Sequence, residues 1–416
     1  MYEEIKRGIK NTSYLVAATV LAQIIGFIGL VYVTRNLGPV EYGVYVTVLS
    51  FLSLFNIINL PGLKKVLIRE ISKAPDLSNK YLQENILLNV LCSSITLVIC
   101  LVAINFMDYD QSVKNLITFF AVFIVIESLS GFFGVVFIAK ERISLLSKIA
   151  IVKQIFSSTT YVCLIYIGFG IYELLVSHFL ILFFYLIFIL YITDITPTSF
   201  MSGIKWETRY LKSAITFSLI TITTFFSLRI DIIMISIMGD SYEVGIYSVS
   251  AIIAEISDNI RNLAALVFFP IFIKFFQKVK NPLVLRKMLF YSVSLTLFVS
   301  TILFLLSSFI PEITTIVFGE QYKESGEILA ILLFYSVFTW MILPFTIASQ
   351  ALKKEFLILK IQIFMAIMNI CLNYFFYNEF GLIGIAYSTL FVYSIGGISQ
   401  TIYLYFSLKK VLIETG

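Results

Sequence analysis

The chain is 416 residues long, 59% hydrophobic and only 13% charged, with a net charge of +5. So much apolar surface cannot be hidden inside soluble domains, and long apolar runs recur from end to end, each near the twenty residues that cross a bilayer as a helix. Composition therefore excludes a soluble fold and predicts an all-α integral membrane protein with no sizeable extramembrane domain.

Twelve spans are read in chain order, at 12–34, 42–60, 82–106, 114–138, 146–168, 171–193, 211–238, 242–270, 287–310, 326–351, 356–378 and 382–408. The first apolar stretch, Asn11 to Thr34, is too long for a signal-peptide core and is expected to stay as the first span. Lys148, Lys153 and Lys360 lie near span ends, where long side chains snorkel to the interface. Cys92, Cys100, Cys163 and Cys371 fall in apolar segments without CxxC spacing, so they predict packing groups rather than disulfides or metal ligands. His178 is the single histidine and is expected to make an interhelical hydrogen bond. Pro344, inside the tenth span, removes a helix hydrogen bond and marks a kink.

Lys and Arg concentrate at the N-terminus, at the C-terminus and in the linkers after even-numbered spans. The opposite linkers carry only Arg35, Lys114 and Lys323. This bias predicts a cell-membrane protein with both termini cytoplasmic. It also accounts for the net positive charge through topology and contact with anionic lipid, with no nucleic-acid partner.

A repeat is visible between the halves. Leu37-Gly38-Pro39-Val40-Glu41-Tyr42-Gly43-Val44-Tyr45 matches Met238-Gly239-Asp240-Ser241-Tyr242-Glu243-Val244-Gly245-Ile246-Tyr247, with one insertion. Ala139-Lys140-Glu141-Arg142 through Phe169-Gly170 echoes Lys353-Lys354-Glu355-Phe356 through Phe380-Gly381. Six spans per repeat return the chain to the same side, which predicts parallel six-helix lobes over 1–195 and 196–416 with a cleft between them, a transporter's plan. In the repeated turn, Gly38, Gly43, Gly239 and Gly245 suit positive φ or close approach. Tyr42, Tyr45, Tyr242 and Tyr247 are expected at the membrane interface.

Charged side chains at membrane depth cost roughly 2.5 to 3.5 kcal/mol each even on the mildest scale, so they face a cavity or a partner. Arg229 and Asp231 lie in span 7; Glu255, Asp258, Asn259, Arg261 and Asn262 recur at helical spacing in span 8. Through the repeat, Glu255, Asp258 and Arg261 map onto Ser53, Asn56 and Asn59, a polar stripe on span 2. Arg229 and Asp231 are two residues apart, on different faces, so at least one needs a partner elsewhere. Glu127 is the other deep carboxylate, and Gln23, Gln350, Asn369 and Asn373 are uncharged candidates for the same lining. Two arginines face four carboxylates, a balance wrong for simply holding an anion. The same charges also read as interhelical pairs that lock the bundle.

Asn11 to Lys73, with Arg35-Asn36-Leu37-Gly38-Pro39-Val40-Glu41-Tyr42-Gly43 after the first span and Arg69-Glu70 beyond the second, resembles the opening of the polysaccharide biosynthesis flippases. These belong to the multidrug/oligosaccharidyl-lipid/polysaccharide (MOP) exporter superfamily, which includes the MATE transporters. Arg229-Ile230-Asp231, Phe318-Gly319-Glu320-Gln321-Tyr322 and Gly381-Leu382-Ile383-Gly384 are similar to the family in kind and position. A departure stands at the end of span 2, which reads Asn59-Leu60-Pro61-Gly62-Leu63-Lys64-Lys65. The resemblance implies a MATE-like fold and an alternating-access cycle. It also implies transfer of a lipid-linked oligosaccharide from the cytoplasmic to the outer leaflet, with polymerase and glycosyltransferases of the pathway as partners.

On that basis Arg229, with Arg261, Asn56, Asn59, Asn259 and Asn262, is the candidate lining for a polyprenyl-diphosphate-linked glycan, because the guanidinium fork matches a phosphate. Asp231, Glu255, Asp258 and Glu127 are the candidates for a coupling Na⁺ or H⁺; no other cofactor is expected. A cation-coupled multidrug or metabolite exporter of the same superfamily is the alternative. A membrane glycosyltransferase or ligase is disfavoured, since there is no phosphate-binding Gly loop, nucleophile elbow, acidic metal motif or large loop.

Overall fold

A computed structural model describes residues 2–193, 208–278, 283–351 and 355–415, with side chains over most of them. The second half of the predicted 139–170/353–381 echo begins at Lys353 and Lys354, which lie outside the described residues, as does the side chain of Gln350. Among the described residues the chain is helical, with short 3₁₀ turns and no strand.

Fourteen α-helices are described: α1 Tyr2–Ile58, α2 Gly62–Lys73, α3 Ser78–Ala103, α4 Gln111–Phe120, α5 Phe123–Ala139, α6 Ile143–Ile167 and α7 Ile171–Ile192. These are followed by α8 Leu211–Met238, α9 Ser241–Lys278, α10 Leu283–Leu306, α11 Ile310–Phe318, α12 Lys323–Ala351, α13 Glu355–Phe380 and α14 Leu382–Thr415. All twelve predicted spans fall on helix. Spans 1 and 2 share α1, span 4 is split between α4 and α5, and the rest take one long helix each. Nine helical stretches among the described residues are long and apolar enough to cross a membrane. Large apolar side chains stand fully outward on them, such as Phe106 at 80% and Tyr166 at 81% exposure.

Local chemistry sets the breaks. Gly38 has φ 77 and ψ 171, outside helical geometry, and Pro39 follows it. Proline has no N–H to lose at the start of a new helical turn, so the pair ends span 1 and begins span 2. Gly381 plays the corresponding part between α13 and α14, with φ 64. Of the four glycines in the repeated turn, Gly38 alone takes positive φ among the described residues. Gly239 serves close approach instead, because a Cβ there would strike the Glu243 carboxylate and the Tyr377 hydroxyl.

The basic linker after span 2 holds an amphipathic helix, α2, with Leu63, Val66, Leu67 and Ile71 buried and Lys65, Arg69 and Lys73 outward. Gly62 brings its first turn against α8: a Cβ there would collide with the Ala214 carbonyl, and the Gly62 N–H donates to Ser218 Oγ at 2.9 Å.

Contacts divide the chain into two compact units, 1–225 and 226–416, the boundary falling within α8. In the first, α5 is central and packs on α1, α2, α3, α6 and α7. Inside a bilayer, helices are held by close packing and interhelical hydrogen bonds rather than by the hydrophobic effect. Here buried Phe132, Phe137, Leu63 and Leu67 interlock, and the Asn89 amide donates to Ser128 Oγ at 3.0 Å between α3 and α5. The predicted interhelical role of His178 is met by α6, with Tyr161 Oη 2.7 Å from His178 Nδ1. In the second unit, α12 is central and packs on α9, α10, α11, α13 and α14. Ser250 and Ser325 bind α9 to α12, each hydroxyl donating to the other helix's backbone, at 2.6 Å to the Ser325 carbonyl and 2.8 Å to the Ile246 carbonyl.

Candidate functional site

The second unit gathers Arg229 and Asp231 of α8 with Glu255, Asp258 and Arg261 of α9. Ile230, Ile232, Ile233 and Ile235 are buried on α8, and the charged positions beside them, Arg229 and Asp231, point apart as their spacing requires. Arg229 turns to α9, where Nη2 lies 3.1 Å from Glu255 Oε2. Asp231 meets three other helices. Asn373 Nδ2 on α13 donates to its Oδ1 at 2.8 Å, while Thr389 Oγ1 on α14 and the Tyr247 hydroxyl on α9 donate to its Oδ2 at 2.8 and 2.9 Å. Asn373 also donates to Asn369 Oδ1 at 2.8 Å, and its own Oδ1 is buried with no hydrogen-bond partner.

One turn on from Glu255, Asp258 is buried. Tyr335 and Thr339 of α12 donate to its two oxygens at 3.0 and 3.3 Å, and Arg261 Nη2 lies 3.2 Å from Oδ1. Arg261 Nε is buried without a partner. A cavity of about 30 Å³ lies among Asp231, Glu255, Tyr247, Tyr335, Thr389 and Tyr393. A void of that order holds a water or a desolvated ion. The two carboxylates and the neutral oxygens around them make a hard-oxygen environment. Among the described residues no three His, Cys, Asp or Glu side chains converge.

The remaining predicted residues are distributed as follows. Asn259 and Asn262 are exposed on α9 beside buried Asp258, so the polar positions of span 8 are shared between a packed face and an open one. Asn56 and Asn59 lie in the first unit near the end of α1, Asn56 half-buried and Asn59 buried with Oδ1 unpartnered. Glu127, also in the first unit, is exposed on α5.

Sequence reasoning missed Tyr247, Tyr335, Thr339 and Thr389. Tyr42 and Tyr247, expected at the interface, are buried, because the first turns of both repeat hairpins are packed inside their units. For Tyr247 the cost of burying the hydroxyl is met by Asp231. The one available signal was the hydroxyl-rich pattern of spans 10 and 12, which sequence alone does not tie to span 7.

A second cavity, about 470 Å³, opens between α9, α10 and α12. Leu295, Val299, Leu303, Val337, Met341 and Pro344 line it, placing the proline of span 10 on its wall. The Trp340 indole donates to Ser257 Oγ at 3.2 Å, next to Asp258, so this apolar cavity adjoins the charged residues.

A family model described as "Polysaccharide biosynthesis protein" matches residues 9–276. No curated protein sequence matches the chain. The fold is similar to the lipid II flippase MurJ in an inward closed conformation, with a TM-score of 0.73 and 14% identity over 95% of this chain and 87% of that one. It is also similar to an inward-facing multidrug resistance MATE transporter of the MOP superfamily, with a TM-score of 0.67 and 15% identity over 97% and 99%. A MOP superfamily transporter from Pyrococcus furiosus, described by the reverse polarity of its binding pocket, gives a TM-score of 0.58 at 15% identity over 97% and 98%. At these identities the likeness is one of fold.

Proposed function

The chain belongs to the polysaccharide biosynthesis protein family, multi-pass membrane transporters of the MOP superfamily rather than enzymes, and from that premise we propose that it flips a polyprenyl-diphosphate-linked oligosaccharide. The movement is from the cytoplasmic to the outer leaflet of the cell membrane, by alternating access coupled to Na⁺, with both termini in the cytoplasm. The observation that carries the reading is the grouping of two arginines with three carboxylates at membrane depth in the second unit.

Asp231 is the ion site in this account. Its hydroxyl and amide partners keep oxygen lone pairs free, and Asn373 Oδ1 has no other use. Neutral oxygens around one carboxylate favour Na⁺ over a proton, which needs only a single acceptor. A bound cation beside Glu255 competes with Arg229 for that carboxylate, freeing the guanidinium for a phosphate. The apolar cavity next to Asp258 has the chemistry that an isoprenoid chain takes.

A second reading is favoured by one observation: carboxylates outnumber arginines in this unit, which suits export of an organic cation by the same fold. Reconstitution decides between them. Headgroup translocation that depends on Arg229 and on Na⁺ supports the flippase; cation efflux without translocation supports the exporter.

A further inference from the structure

The hydrogen-bond cluster on Asp231 has a second polar layer directly beyond it. Glu243 precedes Tyr247 by four residues on α9, and Tyr377 follows Asn373 by four on α13, so each stands one turn further toward the turn between α8 and α9, on the same helix face. There the two meet: the Tyr377 hydroxyl donates to Glu243 Oε2 at 2.5 Å. Gly239 leaves room for the contact, because a Cβ at that position would strike both the carboxylate and the hydroxyl. The Glu243 N–H donates to Asp240 Oδ1 at 2.9 Å, which fixes the turn that presents the carboxylate.

The two layers differ in access. Tyr247 and Asn373 are fully buried around Asp231, and Asn373 Oδ1 has no partner, whereas Glu243 and Tyr377 are half-buried. The cavity of about 30 Å³ beside Asp231 and Tyr247 leaves room for one small ion. Beyond Glu243, the same end of the unit carries Asp240, Glu312, Glu320, Glu324, Glu327 and Glu379, all exposed, with Lys323 the single basic side chain among the described residues there. A rim of one sign raises the local concentration of the opposite ion. Carboxylates thus lead from the rim through Glu243 to Asp231, and the bond between Tyr377 and Glu243 stands across the path. A bond that only held α13 to the turn needs no charged acceptor, as Ser250 and Ser325 show between α9 and α12; a half-buried carboxylate carries a desolvation cost that a passing cation offsets.

We propose that Glu243 is the entry site for the coupling cation and that Tyr377 is the gate between it and Asp231. This deepens the flippase reading, resting on its Asp231 ion site and on the outward placement of the turn between α8 and α9. The cation gathers on the acidic rim and is taken by Glu243. There it occupies the lone pairs that the Tyr377 hydroxyl uses and so releases the ring from the path inward. Asn373 Oδ1 supplies the next oxygen on the way to Asp231. Once the cation is on Asp231, Glu243 is vacated and the Tyr377 hydroxyl returns to it, closing the site behind the ion. Such a gate sets rates in both directions and leaves the equilibrium affinity to Asp231.

The test follows radioactive Na⁺ on the immobilised full chain, with choline as the replacing cation at constant ionic strength. Retention at equilibrium gives affinity, the time courses of loading and of loss after dilution give the rates, and melting temperature is the folding control. The wild type holds Na⁺ and Asp231→Asn does not. Tyr377→Phe keeps the ring and deletes the hydroxyl; it speeds both uptake and release about tenfold, the scale of one hydrogen bond to a charged group, while affinity moves by less than about threefold. Glu243→Gln slows uptake severalfold because the receiving charge is gone, whereas Glu243→Asp keeps the charge, withdraws it from Tyr377 and takes up Na⁺ faster than the wild type. A Tyr377→Phe protein that melts lower but exchanges Na⁺ at wild-type rates makes the pair a helix staple and overturns the gate. Affinity lost without faster exchange makes Tyr377 a ligand and overturns it equally. Unchanged uptake in Glu243→Gln overturns the entry site and leaves the Asp231 site standing. Na⁺ retention that is absent from the wild type, or unaffected by Asp231→Asn, removes the Asp231 site and the entry path with it.

Discussion

Replacing Asp231 with Asn separates an ion site from a structural hydrogen-bond hub. The carboxylate accepts hydrogen bonds from Asn373, Thr389 and Tyr247, at 2.8 to 2.9 Å. Interhelical hydrogen bonds in membranes average about 0.6 kcal/mol, so Asp231→Ala, which orphans all three donors, costs roughly 2 kcal/mol in Na⁺-free buffer. Asp231→Asn keeps the shape and part of the accepting capacity, so it costs less. Sodium reveals the difference. A ligand that binds only the folded state at 100 times its Kd stabilises by about 2.7 kcal/mol, which at roughly 1 °C per kcal/mol for a chain of this length raises the melting temperature by about 3 °C. The wild type therefore melts higher as NaCl replaces choline chloride at constant ionic strength, and Asp231→Asn does not. An equal Na⁺ shift in wild type and Asp231→Asn refutes the ion site.

Arg229→Ala abolishes glycan export at normal membrane levels, and Arg229→Lys retains part of it because the two-pronged phosphate contact is lost while the charge stays; export in cells with quantified membrane protein checks both. Tyr335→Phe removes one of the two α12 donors to Asp258 and lowers stability by about 0.6 to 1.7 kcal/mol, read as a melting shift. Gly62→Val drives a side chain into the Ala214 carbonyl and costs about 1 to 3 kcal/mol, whereas Gly134→Ala, where a Cβ meets nothing within 4 Å, gains about 0.5 to 1 kcal/mol from helix propensity. Paired thermal melts decide whether close approach or flexibility governs these glycines.

The helices were legible in the sequence because spanning a bilayer demands a run of apolar residues, and such a run needs no partner to be recognised. Gly38-Pro39 was legible for the same reason: its conformational preference is local, and the backbone takes it. The opposition of Arg229 and Asp231 followed from helical geometry alone, and so did the need for a partner beyond the helix, which Glu255 supplies for one and Asn373 for the other. What surrounds Asp231 was not legible. Tyr247 and Thr389 are ordinary residues of membrane helices until α9, α13 and α14 bring them onto one carboxylate. The inward turn of Lys64 was hidden by a sound rule, since lysines in linkers report topology; only the packing of α2 over Gly131 brings its ammonium against α5. The helix α2 itself was masked by its basic face, which reads as linker until its Leu63, Val66, Leu67 and Ile71 stripe is seen buried.

The most direct test of the account is headgroup translocation by the purified chain in liposomes, using a fluorescent short-chain polyprenyl-diphosphate oligosaccharide and an imposed Na⁺ gradient. The account predicts translocation above that of protein-free vesicles, accelerated by the gradient and lost in both Arg229→Ala and Asp231→Asn. Folded protein that leaves the headgroup in its original leaflet while exporting an organic cation contradicts it.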